Sequence, residues 1–205
     1  MSKEESKGLG GRIAGGVSAR GRVENDYYAT PPEDVRHFLD TIIEDGFDIQ
    51  QVDSILEPAA GGGHLLDVVK DVFPHAICEG IDIDPKRDDI QVFDFLTDKV
   101  VENYDLVITN PPFKHAKEFI NHSLEISNRY VMYYLKLQFL EGKSRKDWFM
   151  DDVPLKYVYV YSYRSSPYRN GNPYNENGKR WSSTIAYAWF VMDKEYEGEP
   201  IIRWL

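Results

Sequence analysis

Val52-Asp53-Ser54-Ile55-Leu56-Glu57-Pro58-Ala59-Ala60-Gly61-Gly62-Gly63-His64-Leu65-Leu66-Asp67-Val68-Val69-Lys70-Asp71-Val72 reads as a strand, a glycine turn and a helix. Val52 to Glu57 has the length and aliphatic content of a buried strand, and the Gly61-Gly62-Gly63 run breaks it. Beyond the glycines the apolar positions are Leu65, Leu66, Val68, Val69 and Val72, one face of a helix that Pro74 closes. A strand feeding a helix through small residues is the repeating unit of a parallel, doubly wound sheet. Such sheets bind ligands beyond the carboxyl ends of their strands.

The same alternation continues on both sides. Downstream come a strand from Ala76 to Ile83, Asp84-Pro85 as a helix cap and first helical residue, and a short apolar segment from Val92 to Leu96. A strand from Tyr104 to Thr109 then ends abruptly at Asn110-Pro111-Pro112-Phe113. After it the pattern predicts a helix with Phe119, Ile120 and Leu124, then strands Arg129 to Leu135, Leu155 to Tyr163 and Thr184 to Met192. Upstream, Thr30 is expected to cap a helix, Pro31 to take its first position and Glu33 to complete a capping box. Val35, Phe38, Leu39, Ile42 and Ile43 form its apolar stripe, and Gly46 marks its end. Residues 1–25 are rich in glycine and arginine without apolar periodicity and read as a flexible basic arm. Residues 26–205 read as one domain.

The chain has 205 residues, a formal net charge of −10 and one cysteine, Cys78, which reads as a core residue. A single cysteine excludes an internal disulfide and a multi-cysteine metal cluster and fits a reducing compartment. No apolar run reaches the length of a membrane span, and the start lacks a signal peptide's apolar stretch, so the expected location is the cytoplasm. The acidic balance excludes nucleic-acid coating by bulk attraction and leaves only local basic patches for such contacts. Two exist, each with four cations against one acid: Lys136, Lys143, Arg145 and Lys146 with Glu141, and Arg164, Arg169, Lys179 and Arg180 with Glu176.

Three positions carry the chemistry. Glu57 opens the glycine turn, where an acid at a strand end suits a cationic amino group better than a pyrophosphate. S-adenosylmethionine fits that preference, and a nicotinamide or flavin dinucleotide does not. Asp82 ends the next strand, placed to accept from ribose hydroxyls, and Asp94 beside Phe95 is a candidate acceptor for the adenine amine. In Asn110-Pro111-Pro112-Phe113 the prolines lack N–H groups and hold the carbonyls in a stiff, extended turn. The Asn110 side-chain oxygen and the Pro111 carbonyl can accept the two hydrogens of an exocyclic amine, with Phe113 stacked on its ring. No metal is expected. In the run of Asp82, Asp84, Asp88 and Asp89, Lys86 and Arg87 stand where a calcium loop needs a ligand and a glycine, and the five histidines lack metal spacing.

Taken in order, Tyr28-Ala29-Thr30-Pro31-Pro32-Glu33, Glu57 to Gly63, Gly80-Ile81-Asp82-Ile83-Asp84-Pro85, Asp94-Phe95-Leu96 and Asn110 to Phe113 resemble the motifs of the S-adenosylmethionine-dependent DNA adenine-N6 methyltransferases of bacteria and their phages. Phe139 to Phe149 and Ala188-Trp189-Phe190-Val191 are similar to the small phage or prophage members. The resemblance covers residues 27–205. It implies a Rossmann-like class I methyltransferase fold, α/β, with a mostly parallel seven-stranded sheet and helices on both faces. It implies S-adenosylmethionine contacts at Tyr28, Thr30, Glu57, Ala59, Gly61, Gly63, Asp82, Ile83, Asp94, Phe95 and Asn110. Asn110, Pro111, Pro112 and Phe113 would be catalytic, and the location a bacterial host cell.

A base inside a duplex cannot reach such a site, so the partner implied is DNA with its target adenine flipped out. The only room for target recognition is the loop at 164–181, where Arg164, Arg169, Lys179 and Arg180 supply cations among asparagines and aromatics. Methylation of an RNA base or of a protein glutamine amide would use the same tetrapeptide. A catalytically silent nucleic-acid-binding subunit is the alternative from another class, against which the intact glycine loop and Asn110 argue.

Overall fold

A computed structural model describes residues 27–205. The basic arm expected at 1–25 lies outside the described residues. The strands are β1 (Tyr28–Ala29), β2 (Ser54–Glu57), β3 (Ile77–Asp82), β4 (Gln91–Val92), β5 (Tyr104–Thr109), β6 (Ser127–Lys136), β7 (Leu155–Val160), β8 (Tyr168–Arg169), β9 (Tyr187–Asp193) and β10 (Ile201–Trp204). The helices are α1 (Pro32–Glu44), α2 (His64–Val72), α3 (Ala116–Ile126) and α4 (Lys143–Asp151).

Eight strands form the main sheet in the order β10-β7-β9-β6-β5-β2-β3-β4. Only β9 runs antiparallel to its neighbours β6 and β7. The sheet is therefore mostly parallel, as expected, but it has eight strands rather than seven. The added strand is β10, which pairs in parallel with β7 at the edge. Its four side chains are exposed, Trp204 to 70%, so it carries none of the alternation that marks a half-buried strand. β1 and β8 form a separate antiparallel ribbon in which Tyr28 faces Arg169 and Ala29 faces Tyr168.

Alternating residues of the central strands feed two cores. Tyr130, Met132 and Tyr134 of β6 pack with Val35 and Phe38 of α1 and Leu65 and Val69 of α2, while Val131, Tyr133 and Leu135 pack with Phe119 and Ile120 of α3 and Trp148 of α4. Phe38 stacks on Trp189 with ring centroids 4.3 Å apart, and burying such a side chain contributes about 2–3 kcal/mol. Cys78 is half-buried rather than fully inside.

Two local expectations are corrected. Thr30 does not cap α1: Pro31 is the flanking residue, no side chain caps the helix, and its first residue is Pro32. Thr30 instead turns into a cleft wall, where its Oγ1 is buried without a partner among the described residues, and the Glu33 carboxylate is engaged by Tyr168 Oη and Arg180. Asp84-Pro85 starts no helix. Asp84 N–H donates to Asp82 Oδ1 at 2.8 Å, an aspartate turn that competes with helix formation, and Arg87 binds Asp67 and Asp89 to hold the segment as a loop.

Candidate active site

β2, β3 and β5 run parallel and end at the same edge, at Glu57, Asp82 and Thr109. From β2 the chain moves outward through β3 and β4, then returns to β5 on the other side of β2. That reversal is a topological switch point, where open α/β sheets form their binding crevice. A cleft of about 730 Å³ opens there.

The cleft brings together most of the expected cofactor residues: Tyr28, Thr30, Glu57, Ala59, Gly61, Asp82, Ile83, Asp94, Phe95 and Asn110 all line it. Glu57 is 3% exposed, and its Oε2 has no hydrogen-bond partner among the described residues. Burial, reinforced by nearby Asp82, holds its carboxyl well above the ordinary carboxylate range. Thr30 Oγ1 is likewise buried without a partner. A buried carboxylate oxygen and a hydroxyl left unpaired are costly unless a ligand completes them. Asp82 accepts from Gly61 N–H at 2.8 Å, which ties the glycine loop to the end of β3. One oxygen of Asp94 accepts from Leu96 N–H at 3.0 Å, leaving the other as an acceptor. Ile83 presents an apolar surface, 62% exposed, beside these two acids. Phe95 is buried and stacks on His122 with centroids 4.5 Å apart, so it forms the floor rather than a free stacking face.

Gly63 does not line the cleft. It precedes α2 with φ 77°, and a Cβ there would lie 2.4 Å from Arg87 Nη1, so its role is backbone geometry. Gly61, at φ 52°, sits beneath the Tyr27 ring, where a Cβ would come within 2.4 Å of Tyr27 Cε2. Tyr27 was not anticipated from sequence. It covers the glycine loop with its hydroxyl 3.4 Å from His64 Nδ1, and burial pushes the phenol up and the imidazole down, favouring the neutral form of each. Asn170 also reaches the cleft, its N–H donating to the Tyr27 carbonyl at 3.1 Å. The nearest signal for both was the pair of tyrosines before Thr30 and the asparagines of the late loop, and their meeting is non-local.

Of the tetrapeptide, Asn110 and Pro112 line the cleft and Pro111 is buried. Asn110 Nδ2 donates to the Tyr28 carbonyl at 2.7 Å, which fixes the amide and leaves its oxygen as the acceptor. Phe113 lies outside the cleft wall, 6.1 Å from the Tyr187 ring, with Lys136 Nζ 4.3 Å from its centroid. The four cations of the 164–181 loop do not form one array. Arg164 and Lys179 are exposed, Arg169 stacks over Trp181 at 4.8 Å, and Arg180 pairs with Glu33 at 3.1 Å. The base of the loop is anchored by buried Asp34, which accepts from Tyr163 Oη at 2.7 Å and from Ser165 Oγ.

No protein-family model matches the chain. Type II methyltransferase M.CvrRI of Paramecium bursaria Chlorella virus XZ-6E is 30% identical over 106 residues, which cover 47% of this chain and 27% of that protein. The chain thus matches about a quarter of that relative's length. Among solved structures, a SAM-dependent O-methyltransferase from Thermotoga maritima is similar at a TM-score of 0.53 and 13% identity, over 84% of this chain and 69% of its own. The O-MT segment of StiE gives 0.50 and 13%, over 78% of this chain and 75% of its own. At such identities the likeness is one of fold. The chain has the Rossmann-like fold of the class I methyltransferases, with one further edge strand.

Proposed function

We propose that this chain is an enzyme that methylates the exocyclic N6 amine of adenine in DNA, with S-adenosylmethionine as its cofactor. The observation that carries the reading is the fixed Asn110 amide at one side of a cleft that also holds two buried, unpartnered polar atoms, Glu57 Oε2 and Thr30 Oγ1. These two fit the ammonium and carboxylate of an amino acid. Asp82 would accept from the ribose hydroxyls, Asp94 from the adenine amine, and Ile83 would pack on the adenine ring. The similarity to a type II methyltransferase, though partial, supports DNA as the polymer.

S-adenosylmethionine supplies a methyl group activated by its sulfonium. Asn110 Oδ1 and the Pro111 carbonyl accept the two hydrogens of the target amine and draw its nitrogen lone pair out of conjugation with the ring. Those hydrogen bonds strengthen as positive charge grows on nitrogen, so they favour the transition state over the bound substrate. Phe113 offers the stacking face for the flipped base, and the proton displaced from nitrogen passes to water.

The protein is incubated with radiolabelled S-adenosylmethionine and, separately, duplex DNA, single-stranded DNA, RNA and cell extract, and the modified group is identified by mass spectrometry. N6-methyladenine in DNA is the expected product. Asn110→Ala should abolish it while calorimetric cofactor binding survives. Label only in RNA or protein would overturn the DNA assignment, and lost cofactor binding in Asn110→Ala would make the tetrapeptide structural.

A further inference from the structure

β6 runs parallel to β5 with Tyr133 opposite Thr109, and it continues three residues further to Lys136. The chain therefore leaves the sheet beside Asn110-Pro111-Pro112. A short 3-10 turn over Leu137–Leu140 leads into α4. Trp148 anchors this insertion on α3: its Nε1 donates to Asn121 Oδ1 at 2.9 Å, and Lys117 Nζ lies 5.2 Å over its ring. Phe139 packs edge-on against Trp148 at 6.2 Å and Phe190 at 6.0 Å. The insertion thus sits on the α3 face of the sheet. The 164–181 loop is pinned by Glu33 and Asp34 to the α1 face, so the two flank the tetrapeptide.

Lys143, Arg145 and Lys146 all fall in the first turn of α4, which holds no acid, with Glu141 before it and Asp147 and Asp151 after it. Cations there oppose the helix dipole by about 0.3–1 kcal/mol each, so helix formation does not account for them. Lys114, Lys143 and Lys146 are exposed and make no ion pair among the described residues. Charge is also divided along the chain: residues 27–109 hold five cations against nineteen acids, and residues 110–205 hold fourteen against eleven. A polyanion is repelled by the first part and meets its cations on the second. The opposing loop has already committed Arg180 to Glu33.

We infer that residues 137–151 form a phosphate-binding arm that grips the backbone of duplex DNA opposite the 164–181 loop; this rests on the DNA reading above. Lys143 and Lys146, three apart on one helix, project from neighbouring positions about 5–6 Å apart at Cβ and address the phosphates of one strand. Their contacts set register and affinity and carry no base sequence.

The test is duplex-DNA affinity from about 50 to 200 mM salt for the wild type and for the double variant Lys143→Gln/Lys146→Gln, with cofactor affinity and thermal midpoint measured alongside. Loss of two phosphate contacts should flatten the log K against log salt slope by about 1.8 and weaken binding at least tenfold at low salt, with cofactor affinity and midpoint unchanged. Lys143→Glu/Lys146→Glu should weaken it further. A wild type that methylates DNA, paired with a double variant of unaltered slope, overturns the arm alone. A wild type that neither binds nor methylates DNA overturns the function and the arm together.

Discussion

At the scale of single residues, Glu57 links binding to pH. Its folded carboxyl titrates well above the ordinary carboxylate range, because burial and Asp82 both disfavour the charged form. Between the ordinary carboxylate value and the raised one, the free fold holds a proton that the unfolded chain has released. The stability this gives is complete below the ordinary carboxylate value and is lost as pH rises through the raised one. A cationic ligand reverses the preference, so cofactor affinity should climb with pH across the same window. Glu57→Gln should remove both slopes, stabilise the free protein at alkaline pH in thermal melts, and weaken cofactor binding by roughly 10–100-fold in calorimetry, the loss of one charged hydrogen bond. Unchanged slopes in Glu57→Gln would show that another group titrates. Glu57, Asp82 and Asn110 were legible in sequence because each stands where a strand stops. Phe113 stands out in the sequence as the aromatic that ends the tetrapeptide, but its neighbour Lys136, which arrives from β6, does not.

At the scale of elements, α1 holds the 164–181 loop through Asp34, whose carboxylate receives Tyr163 and Ser165 while Ser165 Oγ also meets Tyr134 Oη. Asp34→Ala leaves those hydroxyls without their buried acceptor. It should cost roughly 2–4 kcal/mol and lower the melting midpoint by roughly 5–15 °C. Methylation of DNA should fall more than cofactor affinity, because the loop base loosens while the cleft floor stays. An equal fall in both would mean the network supports the whole site. Helices α1, α2 and α3 were readable because their apolar residues recur at helical spacing. α4 was not: Trp148 is its one buried residue, and cations stand where a cap or an acid would signal a start. β1 and β8 are two residues each and exist through pairing with one another across most of the chain, so neither leaves a local pattern.

At the scale of the whole molecule, a mostly parallel sheet was implied by alternation of strand and helix, and the eighth strand was hidden because β10 faces solvent with every side chain. Cofactor binding should stabilise the protein as a unit: at a hundred times its dissociation constant, S-adenosylmethionine should add about 2.7 kcal/mol and raise the melting midpoint by roughly 5–11 °C. A midpoint indifferent to the cofactor in a scanning melt would contradict the assignment of the cleft. The roof of that cleft joins Tyr27 to Asn170, two residues far apart in the sequence. During synthesis, then, Tyr27 and the glycine loop it covers emerge from the ribosome long before Asn170, whose N–H holds the Tyr27 carbonyl. A chain stopped short of residue 168 keeps Tyr27 but lacks the Asn170 N–H that holds it, and lacks β9, the strand that joins β6 to β7. The cover over the glycine loop is thereby completed only when the late loop has been made and folded back onto Tyr27, and cleavage within that loop should loosen it.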